Sequence, residues 1–536
     1  MDGSPGKHLP TRHREEPAKV QQRFENPREI LGDRLKEGSI YRLLADHGQR
    51  LFGDDYFADL YSGSARGRPT IAARVMASVM VLQAFEGLSD AEAIDRLSFD
   101  LRWQAACGVD TGYVAFHLTS LVGQRNRLRA SERPRRLFED TKVVAQETGA
   151  MKGRARVLDS TPLHDAVATQ DTVTQLRAAI RKLLVALDQA ASPWADDVRA
   201  ALRRDDAYDT VGKPPCDWDD KGAREALVDA LVHDALGALD VIDGETLPDG
   251  VSGPVELLAL VAGQDTEVGD DGVFRIVHKV ARDRVISTVD PEARHGHKSR
   301  NRRFDGYKTH LSLDPDSELI DEVSVTPANT PDRDAVDQLV AGHNGEGAKP
   351  EIVGDSAYAD GATRASLTEA GFEVVAKVPP VRNATGLFTK DRFVVDLEAN
   401  TVTCPAGQRV VINATRDGGG RASFKVHCKT CPLRQSCTKS RAGRSITIGR
   451  HEGLLQRARA EQATPQWQAR YRADRPKVER KIAHFARRPW GGRRARVRGR
   501  RRIATDVDTR AGALNWARLA VLGLDHDGAR WSVAGL

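Results

Sequence analysis

At 536 residues, with 40% hydrophobic and 29% charged side chains, the chain is too long for one hydrophobic core, and two to four globular domains are expected. Its net charge of +6 is unevenly spread: the first two dozen residues and the segment after Arg475 are basic, whereas Asp205–Asp270 leans acidic, which points to a polyanionic partner. The most apolar stretch, Val75–Phe85, is too short to cross a bilayer, Met1–Gln22 has no apolar signal core, and six cysteines in so long a chain do not build a disulfide scaffold; a cytoplasmic protein without membrane contact is expected.

Residues 1–23 read as a disordered basic arm, and the pattern from about Phe24 to Ala150 is helical. Thr70 is expected to cap a helix over Ile71–Phe85, with Gly87 closing it, and Ser89-Asp-Ala-Glu92 has capping-box spacing for the next. The join Glu86-Gly-Leu-Ser89 is short enough for a helix-turn-helix corner. Phe116–Arg129 carries Leu118, Leu121 and Leu128 on an apolar face beside Arg125, Arg127 and Arg129. Two readings stand level here: DNA binding by this domain, or arginines that only solvate a helix face.

Val157–Asp159 is a short strand candidate. A multi-helix insertion follows, with Val173, Leu176, Ile180, Leu183, Leu184 and Leu187 at helical spacing and Ala226–Leu239 repeating the pattern, broken by the Pro/Gly/Asp-rich stretches Lys213–Asp220 and Asp240–Gly253. From Arg284 the texture turns to strand. Arg284–Val289, Tyr307–Leu313 and Leu319–Thr326 are expected strands, the last two joined by the turn Asp314-Pro-Asp-Ser317. Helix at Asp332–His343, strand at Glu351–Asp355, helix at Ala362–Gly371 and strand at Glu373–Val378 complete an α/β core with a mixed sheet. Arg392–Ile412 reads as a hairpin-like segment. Asp474–Arg488 reads as a helix capped by Asp474, with Pro476 in its first turn and Val478, Ile482 and Phe485 on one face.

Between Arg475 and Arg502 stand thirteen Arg and Lys residues and a single acid, Glu479. Asp159 and Asp355 each end a short apolar run. Two strand-end aspartates and a helical glutamate in a basic field suit metal-dependent phosphodiester chemistry, in which two ions roughly 3.5–4 Å apart activate the attacking oxygen and stabilise the leaving one. Hard cations such as Mg²⁺ take oxygen ligands, and three converging carboxylates without one would repel. Gly354 leaves room for close backbone approach beside Asp355. Each residue has a plainer reading: either aspartate caps a turn or helix, and Glu479 pairs with Arg475 or Lys481. Asp290 and Asp305 compete for the same role.

At these residues the chain resembles a family. Val-Leu-Asp159-Ser-Thr, the run from His297 to His310, Val325-Thr-Pro-Ala-Asn329, Val353-Gly-Asp355-Ser-Ala-Tyr358, Arg475-Pro-Lys-Val-Glu479 and Asn515-Trp-Ala-Arg-Leu519 are similar to motifs of DDE-type insertion-sequence transposases, over about Pro69 to Leu524. The resemblance implies an RNase H-like catalytic core, with Asp159, Asp355 and Glu479 as the catalytic carboxylates holding two Mg²⁺ or Mn²⁺ ions. It implies nicking at element ends, then attack of the exposed 3′-hydroxyl on target DNA. Arg475 matches the family's arginine, whereas Tyr471 stands one residue too far from Glu479, and Ala486, followed by Arg487, takes the place of the family's lysine. The core would occupy 151–171, 273–380 and 446–524 around a helical insertion at 172–272 and a Cys-rich β insertion at 381–445. The helical N-terminal domain takes 24–150 and a tail 525–536. Lys298, Arg300, Arg302, Arg303, Lys308 and His310 are candidates for DNA phosphate contact, against a plain basic solvent face. Arg493, Arg494, Arg500 and Arg501 belong to a run too dense to need only solvation. Synapsis of two DNA ends would make a homodimer.

Cys404-Pro-Ala-Gly407 resembles a zinc-knuckle turn, and Cys428-Lys-Thr-Cys431 with Cys437 supplies three more thiols. Four thiolates would complete a structural zinc site, with His427 a substitute ligand; the other reading is reduced cysteines in a small core. Cys107 and Cys216 read as packing and loop residues. Two further functional readings remain beside a transposase: a DDE-like nuclease with a host role, and a non-catalytic DNA-binding regulator built on the helices and the cysteines.

Overall fold

A computed structural model describes residues 25–61, 70–277, 281–299, 301–343, 349–378, 381, 386–487 and 492–534. The 1–23 arm and Arg300 lie outside these described residues. The centre is a six-stranded sheet of β1 (Ala155–His164), β2 (Arg294–Ser299), β3 (Arg302–Leu313), β4 (Ile320–Pro327), β5 (Glu351–Gly354) and β6 (Glu373–Ala376). β1 pairs antiparallel with β3 on one side and parallel with β5 on the other, and β5 runs parallel to β6. The far edge of β3 is shared, β2 pairing with its first half and β4 with its second. Mixed α/β architecture was legible in the alternation, but β1 and β3 are much longer than their apolar runs. Each continues past its core segment, and β3 can cross β1 closely because Gly306, at φ +131°, has no Cβ; one placed there would stand 2.5 Å from the Leu163 carbonyl.

Arg284–Val289 is not a strand. Its backbone groups bond to glutamine side chains instead of a neighbouring strand: Gln170 Oε1 accepts from Thr288 N (2.7 Å), Gln264 Oε1 from Val285 N (2.9 Å), and Gln175 Nε2 donates to the Val285 carbonyl (3.0 Å). Ala73–Glu86 begins two residues later than expected, behind Ala72, which makes no side-chain cap bond, so Thr70 caps nothing. Gly87 closes the helix in the left-handed region, and Ser89 and Glu92 form the capping box. Val75 through Ala84 are all buried, making this the central helix of the N-terminal bundle. The helix expected at Phe116–Arg129 is Thr119–Ala130, with Leu121 and Leu128 buried and Leu118 outside it, partly exposed.

The helix that carries Glu479 runs from Pro465 to Phe485, nine residues longer at its start than its Asp474 reading. Thr464 caps it, accepting from Trp467 N at 3.3 Å, and Pro465 occupies the first turn. Asp474 is buried mid-helix, taking hydrogen bonds from Arg154 (3.1 Å) and Lys477 (3.0 Å). Pro476 is therefore an interior proline, placed on the exposed side of the helix. The last long helix, Arg500–Val521, joins two cores: Trp516 and Leu519 pack with the N-terminal helices, while Ile503, Val507 and Leu514 pack on the sheet. Asn515 pins it there, accepting from Ile320 N and donating to the Ile320 carbonyl, both at 2.8 Å. The insertion helices Thr172–Gln189, Ala195–Ala201, Lys221–Val241 and Ser252–Gln264 enclose a core of their own.

Candidate active site

The parallel pairing of β1 with β5 sets Ala155 beside Glu351 and Val157 beside Val353. Two residues on in the same register, Asp159 comes level with Asp355. Asp159 sits inside a strand that continues to His164, so it is not a helix cap. Asp355 does cap the short turn Ser356–Tyr358, one oxygen accepting from Ala357 N at 2.8 Å. Gly354 permits this turn: a Cβ there would stand 3.2 Å from Tyr358 Cβ.

The Glu479 helix packs across β1 through Val478, Ile482 and Phe485, and brings Arg475 and Glu479 over the two aspartates. Arg475 Nη2 lies 3.0 Å from Asp159 and 3.8 Å from Glu479, so one guanidinium spans both carboxylates. All three acids line one open cleft, together with Ser160, Lys308 and a fourth carboxylate, Asp332. Burial pushes the Asp159 carboxyl above its usual range, the charge of Arg475 pulls it back, and neighbouring Asp355 adds to the rise. Arg475 is itself mostly buried, and its Nη1 has no hydrogen-bond partner among the described residues.

These residues fit a hard divalent cation in kind. Every acidic donor is a carboxylate oxygen, and a positive ion would relieve both the burial and the crowding of Asp159. Among the described residues no three His, Cys, Asp or Glu side chains stand close enough to enclose an ion. Arg475 holds the space between Asp159 and Glu479.

Asp332 escaped the sequence reading, which took it as the start of a helix. It binds Lys308 Nζ at 2.7 Å and accepts from Ser160 Oγ at 2.9 Å, so Lys308 lines the cleft with its ammonium already paired. Its only signal was an acid beside the Val325–Asn329 motif. Asp290 and Asp305 are excluded from the site: Asp290 is buried and accepts from Tyr307 Oη (2.6 Å) and Gly499 N (2.9 Å), and Asp305 pairs with His295 at 2.6 Å.

The basic candidates separate. Lys298 and Arg493 line the cleft and are exposed. Arg302 and Arg303 are exposed at the start of β3, away from the cleft lining, and Arg487 is exposed just past the Glu479 helix. Arg494 sits beside His164 at the end of β1, Arg500 pairs with Glu292 at 3.3 Å, and Arg501 donates to the Arg129 carbonyl at 2.6 Å. His310 is buried, with its ring nitrogens 3.1 Å from Tyr358 Oη and 2.9 Å from Thr326 Oγ1, so it meets no ligand. Tyr471 is buried and stacks on Trp467 with centroids 5.0 Å apart.

Burial pushes the His310 imidazole down to about 4, against Asp332, which favours its charge. The folded protein thus keeps a neutral ring that the unfolded chain protonates near pH 6.5. The resulting stability is whole above pH 6.5 and is lost as pH falls toward 4, by up to about 3 kcal/mol. Denaturant titrations should show wild type falling relative to His310→Gln across this window; parallel curves would discard the assignment.

Cys404, Cys428, Cys431 and Cys437 line one small apolar cavity with His427, although they are not at cage separation. Cys428 and Cys437 are buried, and Arg444 N lies 3.3 Å from Cys428 Sγ. Cys107 packs in the helical core, where burial pushes its thiol up to about 12, and Cys216 packs at the edge of the insertion core.

Residues 403–520 match a family model described as a transposase DDE domain, and residues 29–127 match one described as a transposase domain (DUF772). The first spans the cysteines, the Glu479 helix and most of the final helix; the second spans most of the N-terminal bundle. Asp159 and Asp355 lie outside both. No curated protein and no solved structure matches the chain. Two independent transposase matches, on either side of the cleft-bearing sheet, support its assignment to the insertion-sequence transposases of the DDE type. Among the described residues no helix is long and apolar enough to cross a membrane.

Proposed function

We propose that this chain cuts DNA at the ends of an insertion sequence and joins the freed 3′-hydroxyl to target DNA, using Asp159, Asp355 and Glu479. The observation that carries the reading is the one cleft that Asp159 on β1 and Asp355, just past the end of parallel β5, share with Glu479, which one helix brings to them. The sheet order, with β1 between antiparallel β3 and parallel β5, supports an RNase H-like core. Convergence of the three acids speaks against a regulator in which they are incidental.

Asp159, Asp355 and Glu479 would hold the divalent ions, Mg²⁺ or Mn²⁺, which when bound activate the attacking oxygen and stabilise the leaving one. The protein's own groups do the positioning. Lys298 and Arg493 at the mouth of the cleft attract the phosphate backbone, while the Lys308–Asp332–Ser160 network fixes the strand beside Asp159. Arg475 shields the acids from one another, and must give way or shift when ions enter. Bringing two element ends together favours a homodimer on DNA. The direct test is incubation with duplexes carrying the element's terminal repeats and Mg²⁺: cleavage at the repeat boundary is expected, and binding without cleavage under Mg²⁺ or Mn²⁺ would favour the regulator.

The four thiols of the Cys-rich insertion are the donors a structural zinc ion takes. Elemental analysis of purified protein is expected to find about one zinc per chain, with Cys428→Ser losing both zinc and stability. No zinc and unchanged stability would leave an ordinary thiol-lined core.

A further inference from the structure

A second cleft lies on the other side of the basic segment, walled by the helices Ala73–Glu86 and Thr119–Ala130, by Arg496 and by the first turns of Arg500–Val521. Its charges do not cancel. Asp90 is taken by Arg125, at 2.6 Å and 3.0 Å, and Asp506 by Arg510 at 3.3 Å. Arg129, Arg496 and Arg502 line the same space with no close ion pair to a carboxylate among the described residues, although the charge of Arg496 is felt by Asp90 and Glu92; Arg129 bonds to Asn126 and Arg496 to the Leu88 carbonyl. Two segments distant in sequence, Thr119–Ala130 and the stretch from Arg496 into the last long helix, thus bring arginines to one concavity. Burial, with Arg502, Arg125 and Arg501 nearby, depresses the Arg129 guanidinium. Arginines that merely solvate a surface diverge into water. Here the like charges converge, raising the free energy of the empty protein in a way that a polyanion relieves.

We propose that this second cleft binds the phosphate backbone of duplex DNA through Arg129, Arg496 and Arg502, holding the flank of the DNA whose end lies in the carboxylate cleft. The proposal rests on the transposase reading for its choice of polyanion. The two clefts are joined by the segment that puts Arg493 in one and Arg496 in the other. Three residues of extended chain reach about 10 Å, close to the rise of about three nucleotides along one strand at roughly 3.4 Å each. The proposal places one duplex across both sites, with the helical bundle setting the distance from gripped backbone to cut.

The test measures binding of the full-length protein to a fluorescent mixed-sequence duplex over a range of salt concentrations. In wild type the logarithm of affinity should fall linearly with the logarithm of salt. Arg129→Gln/Arg502→Gln should flatten that slope by about 2, at roughly 0.9 per lost phosphate contact, while Arg129→Lys/Arg502→Lys keeps it. Hydroxyl-radical footprints of the Gln variant should lose protection a few nucleotides from the cut. An unchanged slope and footprint would overturn the proposal, as would a Lys variant as defective as the Gln variant, since a structural role would explain both. Failure of wild type to bind duplex at any salt would instead remove the transposase reading itself.

Discussion

On the proposed reading, Asp355→Asn and Glu479→Gln are each expected to lower Mg²⁺-dependent strand cleavage by at least about a thousandfold, roughly 4 kcal/mol of transition-state stabilisation, and to leave duplex binding in place. These two substitutions are clean for structural reasons. Asparagine at 355 can still accept from Ala357 N, so the turn Ser356–Tyr358 keeps its cap and only the charge is lost. Glu479 is 60% exposed and pairs with Arg475 at 3.8 Å, so its amide replaces it without disturbing the helix. Asp159→Asn is expected to be as inactive but is a less direct probe. It removes the carboxylate that neutralises a largely buried guanidinium, and part of its loss would come from disorder in Arg475. Cleavage assays with thermal unfolding alongside separate these cases. Full activity in any one variant takes that residue out of the site.

Arg156→Met is expected to destabilise the protein by about 3–5 kcal/mol, the largest stability effect of any single change considered. Arg156 precedes Val157 on β1, and its side chain is 3% exposed. It pairs with Asp314 at 3.1 Å and stands 2.8 Å from Asp321, carboxylates only 0% and 10% exposed. Removing the cation strands two buried negative charges, whereas removing a surface partner would cost little. Asp314 also accepts from Asp316 N, Ser317 N and Ser317 Oγ, forming the turn that joins β3 to β4. The substitution therefore loosens β1 itself and β3, the strand paired with it at Asp159. Urea denaturation should show a lower midpoint at unchanged slope; an unshifted midpoint would mean the trio is solvated and dispensable.

Much of this site was legible in sequence because its parts end apolar runs. Val157 and Val353 mark buried strands, and an acid two residues beyond each is conspicuous. What could not be read was that the two runs pair in parallel with an offset that sets the acids level, since register depends on tertiary contacts. The Glu479 helix was recognised by its Val478–Ile482–Phe485 face, but its true start, Thr464-Pro465, was passed over because Pro476 looked like a first-turn residue. An ion pair from buried Asp474 to the half-exposed Arg154 holds the longer helix despite that proline, and such partners, 320 residues apart, leave no local trace. The false strand at Arg284–Val289 has the same origin: its composition suits a strand, and three glutamine side chains from other segments decided otherwise. Charge density drew attention to Arg493–Arg502, but gave no sign that Arg493 lines one cleft and Arg496 and Arg502 another.

On the proposed reading, Asp159, Asp355 and Glu479 bind divalent ions jointly. Anomalous diffraction from crystals grown with Mn²⁺ tests it most directly. Manganese bonded to both Asp159 and Asp355, with Glu479 drawn in and Arg475 turned aside, is the expected result. Crystals in which Arg475 still bridges Asp159 and Glu479 at saturating Mn²⁺, with no ion in the cleft, would contradict it.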